Sequence, residues 1–182
     1  MHEKYLGDSY DLVKRFFCDS LKQIGTLYAH PYFVPVGMGA VYTRITNISI
    51  LGERPDDPFG LLLDPDTGIC LPTQKLEGAT RKHVSLRFII ELNNKHRPDY
   101  IICFDQSAHR KHELSREEQR GQKMKVLQEG GLASFYYASH APFLFAAQDQ
   151  KTLRSVFERL TFHGIPKERF EPLENFGNSA RS

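Results

Sequence analysis

The sequence predicts an α/β domain, and three features carry that expectation. Two short apolar runs, Phe59-Gly60-Leu61-Leu62-Leu63 and Tyr100-Ile101-Ile102-Cys103-Phe104, have the continuous hydrophobicity of strands buried on both faces. From residue 85 onward, helical and strand patterns alternate, as they do where helices cover a parallel or mixed sheet. Near the C-terminus, strand-like segments at 133–138 and 143–147 flank Ser139-His140-Ala141-Pro142, which suits an antiparallel hairpin. Together these specify a single three-layer, Rossmann-like α/β domain over 1–170. Its sheet is expected to be mostly parallel with a C-terminal antiparallel hairpin. A tail at 171–182, mostly small or polar, is expected to fray.

Each element has its own signal. Leu12, Val13, Phe16, Phe17, Leu21 and Ile24 recur at helical spacing, with Asp8 or Ser9 as N-cap and Gly25 as a stop. Segment 27–36 is apolar and aromatic, but Pro31 and Pro35 limit it to a short or edge strand. Segment 41–51, rich in Thr, Ile and Val, reads as β. Residues 70–82 hold Pro72, Gly78 and several polar side chains, and are expected as an exposed loop beside the site. Ser85 caps a helix carrying Leu86, Ile89, Ile90 and Leu92, and Ser115 with Glu118 forms a capping box for another reaching Glu129. The last helix is the clearest: Leu153, Val156, Phe157 and Leu160 follow i, i+3, i+4, i+7.

The totals bound the function classes. A chain of 182 residues can bury one sizeable core, and its 12% aromatic content without Trp makes Phe and Tyr the fillers. Twenty-four basic against 22 acidic residues gives a net charge of +2, so only a local patch could argue for nucleic acid. Cys18, Cys70 and Cys103 are too few and too scattered for a disulfide framework or a paired zinc site. The N-terminus lacks an apolar signal core, and no window reaches the roughly 18 apolar residues of a membrane span. A soluble, cytoplasmic protein with no membrane partner is expected. Dinucleotide, P-loop, G-x-S-x-G, H-E-x-x-H and C-x-x-C patterns are absent.

The chemistry-bearing positions cluster where strands end. Leu61 to Leu63 run directly into Asp64-Pro65-Asp66-Thr67-Gly68, and the second buried run delivers Asp105-Gln106-Ser107. Ligands of open α/β sheets bind beyond the carboxyl ends of the strands. Carboxylates gathered there repel unless a cation, a basic side chain or a proton separates them. A magnesium or manganese ion, which takes one or two carboxylates plus waters and substrate phosphate, is one solution; an Asx-type turn closed by Thr67 and Gly68 is the structural alternative. Gly7-Asp8-Ser9-Tyr10-Asp11 with Lys14 reads either as part of that edge or as a simple helix start.

His109, Arg110, Lys111 and His112 place donors beside Asp105, and Ser107 could donate to a bound phosphate. Between 110 and 125, Arg110, Lys111, Arg116, Arg120, Lys123 and Lys125 face only Glu113, Glu117 and Glu118. From Arg116 onward that surplus reads equally as a solvated helix face. Ser139 and His140, between two strands, offer a phosphate contact and a proton-transfer group, or a structural turn. Tyr136 and Tyr137 read as base-stacking rings or as core.

Taken in order, Tyr5-Leu6-Gly7-Asp8-Ser9-Tyr10-Asp11-Leu12-Val13-Lys14, Leu63-Asp64-Pro65-Asp66-Thr67-Gly68, Phe104-Asp105-Gln106-Ser107 with Arg110, and Ser139-His140-Ala141 resemble a family of small bacterial α/β proteins. The resemblance spans nearly the whole chain. It implies that the four segments belong together and implies no particular reaction. Two partial resemblances point elsewhere. The acid-tipped strands are similar to PIN- or NYN-like nucleases, which implies metal ligation by Asp8, Asp64 or Asp66, and Asp105. The stretch Leu62-Leu63-Asp64-Pro65 resembles the start of the Asp-Pro-Pro-Tyr segment of adenine methyltransferases, but Asp66 and Thr67 depart from it and the glycine loop for the methyl donor is missing.

The leading expectation is a magnesium- or manganese-dependent phosphoesterase acting on nucleic acid or nucleotide. Asp64, Asp66, Asp105 and Asp8 would hold metal, and Lys14, Ser107, Arg110 and Ser139 would hold phosphate. His140 would assist proton transfer beside the catalytic Asp64, Asp66 and Asp105. The alternatives are a degenerate methyltransferase-like or small-molecule-binding domain, with S-adenosylmethionine as the candidate ligand, and a non-catalytic interaction module.

Overall fold

Unbroken apolar sequence becomes fully buried strand at the centre of the molecule. In the computed structural model, which describes residues 6–74, 76–107 and 113–171, β3 (Phe59–Leu63) and β6 (Tyr100–Phe104) are buried at every position. The other main elements are α1 (Ser9–Leu21), β1 (Thr26–Ala29), α2 (Gly39–Thr46) and β2 (Ser49–Ile50) before them. Between them lie β4 (Gly68–Ile69), β5 (His83–Val84) and α3 (Leu86–His96). After them come α4 (Arg116–Glu129), β7 (Ala133–Tyr137), β8 (Phe143–Ala147), α5 (Gln150–Phe162) and β9 (Phe170–Glu171). Of the tail expected to fray at 171–182, Glu171 belongs to β9 and pairs with Tyr136, and the rest lies outside the described residues, as does 108–112 with Arg110.

Seven strands form one sheet in the order β2-β1-β3-β6-β8-β7-β9. The first four run parallel, with Leu61 opposite Ile101 and Leu63 opposite Cys103. β8 joins β6 antiparallel, and β7 and β9 continue in alternation. β4 and β5 form a separate two-stranded ladder that closes the 70–82 loop.

Strand alternation sends successive side chains to opposite faces, and two cores result. Leu62, Ile102 and Phe104 join Phe17 and Leu21 of α1, Tyr42 of α2, and Leu153, Val156 and Leu160 of α5. Leu61, Leu63, Ile101 and Cys103 join Ile89 and Leu92 of α3 and Leu127 of α4. Phe17 is the hinge-pin of the first core, its ring edge-on to Phe143 at 5.1 Å and Phe145 at 5.2 Å between centroids. Helix starts follow their sequence signals. Asp8, Ser85 and Asp149 accept backbone N–H bonds as N-caps, and Ser115 and Glu118 close a reciprocal box. Each such cap contributes about 1 kcal/mol. No helix among the described residues is long and apolar enough to cross a membrane.

Segment 27–36 gives the short strand that its prolines allow: β1 ends at Ala29, before Pro31 opens a 3-10 turn, and lies inside the sheet. Two local expectations are corrected. Segment 41–51 is mostly the helix α2, leaving only Ser49–Ile50 as strand. Tyr42 and Thr46, one helical turn apart, are both wholly buried, so helical burial overrides the β preference of Val41, Thr43 and Ile45. In the 70–82 loop, Cys70 and Leu71 are buried rather than exposed.

A Cβ on Gly60 would overlap the ring of Tyr100, which lies against that strand with its hydroxyl donating to the Gly25 carbonyl at 3.0 Å. Gly60→Ala is expected to destabilise by roughly 3 kcal/mol, read as a lower urea midpoint at unchanged m. At the exit of β1, His30 Nδ1 accepts the Tyr32 N–H at 3.3 Å, which needs a neutral ring. Burial, with the neighbouring His96 and Lys95, lowers its pKa to about 4. The unfolded chain binds that proton near 6.5 and the native one does not. This group's stabilisation is therefore complete above pH 6.5 and is lost as pH falls toward 4. Urea titrations across that window are expected to show a shallower acid loss for His30→Asn.

Candidate functional site

Asp64 is the residue after the last residue of β3, and the pleat that sends Leu63 toward α3 and α4 sends Asp64 toward α1. There it meets Lys14, whose side chain lies on the buried stripe of α1 with Asp11, Phe17 and Leu21. Lys14 Nζ donates to Asp64 Oδ2 at 2.7 Å and to Asp11 Oδ1 at 2.9 Å, with all three side chains almost fully buried. Asp11 Oδ2 in turn accepts the Gly7 N–H at 2.7 Å. Burial disfavours the Lys14 ammonium, but Asp64 and Asp11 outweigh it and its pKa is raised. Burial also raises the Asp64 carboxyl, against the opposing pull of Lys14. The cation that these carboxylates require is a lysine.

Asp105, at the end of β6, leaves on the opposite face. The register places Cys103 beside Leu63, so Phe104 falls beside Asp64, and Asp105 points the other way. Its Oδ2 accepts from Lys123 Nζ and from the Tyr136 hydroxyl, both at 2.7 Å. Its Oδ1 accepts the Ile69 N–H at 2.9 Å and lies 2.5 Å from Ser107 Oγ, which also receives Lys123 at 2.8 Å. Gly68, at φ +135, lets β4 pass directly over this carboxylate; any Cβ there would overlap Asp105 Oδ1. Burial, then the Asp105 charge, pushes the Tyr136 hydroxyl well above its ordinary pKa.

The α1 side holds a cavity of about 280 Å³, lined by Asp8, Tyr10, Lys14, Asp64, Pro65, Asp66, Phe104 and Gln106. Asp8 caps α1 through Oδ1, which accepts the N–H groups of Tyr10 and Asp11. The Asp66 loop is held from behind by backbone bonds from Asp66 and Thr67 to the carbonyls of Arg81 and Lys82. The Tyr10 and Phe104 rings meet at 5.4 Å, and Gln106 Nε2 donates to the Tyr10 hydroxyl at 3.0 Å and to the His140 carbonyl at 3.3 Å.

Of the residues singled out from sequence, Asp8, Lys14, Asp64 and Asp66 therefore share one cavity. The expected grouping of Asp105 with them is corrected: it is bound on the other face of the sheet, with Ser107 in the same network. His140 is exposed at the rim, its ring 6.1 Å from that of Tyr10. Ser139 Oγ is occupied within its own turn, donating to the Ala141 carbonyl and accepting its N–H. Arg110, with His109, Lys111 and His112, lies outside the described residues. Among the described residues, no group of three or more His, Cys, Asp or Glu is placed to hold a metal ion.

Lys123 and Tyr136 escaped the sequence reading as partners of Asp105. The signal for Lys123 was present: Gln119, Lys123 and Leu127, four apart, are the buried stripe of α4, and a lysine on such a stripe demands an acid opposite. Lys123→Met would leave Asp105 buried without its cation. It is expected to cost roughly 3–5 kcal/mol, measured by chemical denaturation, with Asp105→Asn in the same background recovering part of the loss. Comparison with protein-family models, curated proteins and solved structures finds no match for this chain.

Proposed function

We propose that this chain is a small-molecule-binding α/β protein of Rossmann-like, three-layer form, with its ligand in the cavity beside Lys14 and Asp64. One observation carries the reading. The cavity sits beyond the carboxyl ends of adjacent parallel strands β3 and β6, where such sheets bind ligands, and it has a buried lysine–carboxylate pair in its wall. That pair is a fixed dipole in a low-dielectric wall, suited to orienting a polar ligand and to proton exchange with it. The antiparallel pairing of β7 with β8 around Ser139 and His140 is consistent with the hairpin of this architecture.

S-adenosylmethionine fits this chain poorly. The exit of β1 is His30-Pro31-Tyr32-Phe33, a 3-10 turn with Phe33 buried, in place of a glycine cradle. A second reading, a magnesium- or manganese-dependent phosphoesterase acting on nucleic acid or nucleotide, keeps one supporting observation: Asp64 and Asp66 line the same cavity. Two carboxylates with substrate oxygens suffice for magnesium, which would activate a water and neutralise phosphoryl charge. Against it, Lys14 already supplies the neutralising charge, and Asp105 is committed elsewhere.

Calorimetry separates the readings. Titration with Mn²⁺ and, separately, with S-adenosylmethionine is expected to give no binding tighter than roughly millimolar, about −4 kcal/mol. Micromolar Mn²⁺ binding that disappears in Asp64→Asn and Asp66→Asn would establish the metal reading instead.

A further inference from the structure

A second cavity, of about 310 Å³, lies beside α3, whose core is the one across the sheet from Lys14 and Asp64. Its lining includes His30 from the exit of β1, Tyr32 from the 3-10 turn, and Phe88, Leu92, Lys95 and His96 from α3. Leu92 and Phe88 form an apolar floor, and the Tyr32 hydroxyl donates to the Ala79 carbonyl at 3.1 Å. The charged and imidazole groups are all basic, and no carboxylate among the described residues lines the cavity.

Lys95 and His96 stand in the last turn of α3, where they also offset the partial negative charge of its carbonyl end. That role does not extend to His30, which another element delivers. Its Nδ1 accepts the Tyr32 N–H, so Nε2 carries the proton as a donor. The side chains of Lys95, His96 and Arg54 have no hydrogen-bond or ion-pair partner among the described residues. Burial first, then His96 and Lys95, lowers the His30 imidazole; burial, then Lys95 and Arg54, lowers that of His96. Nearby acids are engaged elsewhere: Glu91 binds Arg87 at 2.8 Å, and Glu77 acts on the same guanidinium.

We propose that this cavity binds a small organic oxyanion, its carboxylate or phosphate group held by Lys95, His96 and His30 Nε2 and its apolar body lying on Phe88 and Leu92. Charge-assisted hydrogen bonds to such a group are the strong ones, and here no protein acid competes for the donors. A bound oxyanion favours the imidazolium forms of His30 and His96. Protons are therefore taken up on binding, and affinity rises as pH falls toward the imidazole range. The site does not depend on the cavity at Lys14 and Asp64.

The test titrates benzoate, phenyl phosphate and neutral benzyl alcohol into the full chain, followed by protein-observed NMR. At least one anion is expected to bind about tenfold more tightly than benzyl alcohol, moving the signals of Phe88 and His96. Tighter phenyl phosphate identifies a phosphate ester as the ligand class, and tighter benzoate a carboxylate. Benzoate affinity is expected to rise about fivefold from about pH 7.5 to about pH 5.5, with the His30 and His96 ring-proton titrations moving upward. Lys95→Gln, at an exposed position, is expected to weaken both anions about fivefold and leave benzyl alcohol unchanged. His30→Asn keeps an acceptor for the Tyr32 N–H but takes up no proton, and is expected to flatten the pH dependence. Benzyl alcohol binding as tightly as the anions, pH-independent anion binding, or no binding of either anion would overturn the proposal. So would shifts centred on Tyr10 and Gln106, which would assign the anion to the other cavity.

Discussion

Every buried carboxylate at the carboxyl edge of this sheet is matched by a lysine from the helix packed on its own face. Asp64 takes Lys14 from α1, and Asp105 takes Lys123 from α4. An uncompensated buried charge costs several kcal/mol, so these pairings constrain where both helices sit and how β3 and β6 end. The arrangement follows from one residue of offset. Parallel register aligns Leu63 with Cys103, so acids at 64 and 105 differ in parity and must emerge on opposite faces.

That offset changes what the acids can do. Had they converged, the simplest neutralising agent would have been a divalent ion. Because they diverge, each is satisfied separately, and the cavity of about 280 Å³ opens beside Asp64 on the α1 side. The Asp105 network instead ties together Ile69, Ser107, Lys123 and Tyr136, from four different parts of the chain. Its contribution is to hold the 66–69 and 105–107 loops in register, supported by the Gln106 N–H donating to the Thr67 carbonyl at 2.9 Å. One strand end thus builds a wall while its neighbour builds a clasp.

Much of this was legible in the residues themselves. The buried runs at 59–63 and 100–104, the caps at Asp8, Ser85 and Ser115, and the periodicity of α5 act locally, and local physics is what a sequence displays. In α2 the β-branched residues advertise strand, while two burial positions one turn apart, Tyr42 and Thr46, decide for helix. The pocket was located in part. Asp8, Lys14, Asp64 and Asp66 stand out by their places at strand end and helix start, whereas no local pattern shows that the Tyr10 and Phe104 rings face the same cavity. The pairing of Asp105 with Lys123 depends on register between distant segments, which no local pattern contains.

The separation of the two acids is the claim on which the functional reading turns, and double-mutant cycles measure it directly. Denaturant stabilities would be taken for Asp64→Asn, Lys14→Met, Asp105→Asn and Lys123→Met, singly and in pairs. Coupling of roughly 2 kcal/mol or more is expected within each Asp–Lys pair, with additivity to about 0.5 kcal/mol between Asp64 and Asp105. Strong coupling between Asp64 and Asp105 would contradict this account and return the two carboxylates to a shared centre.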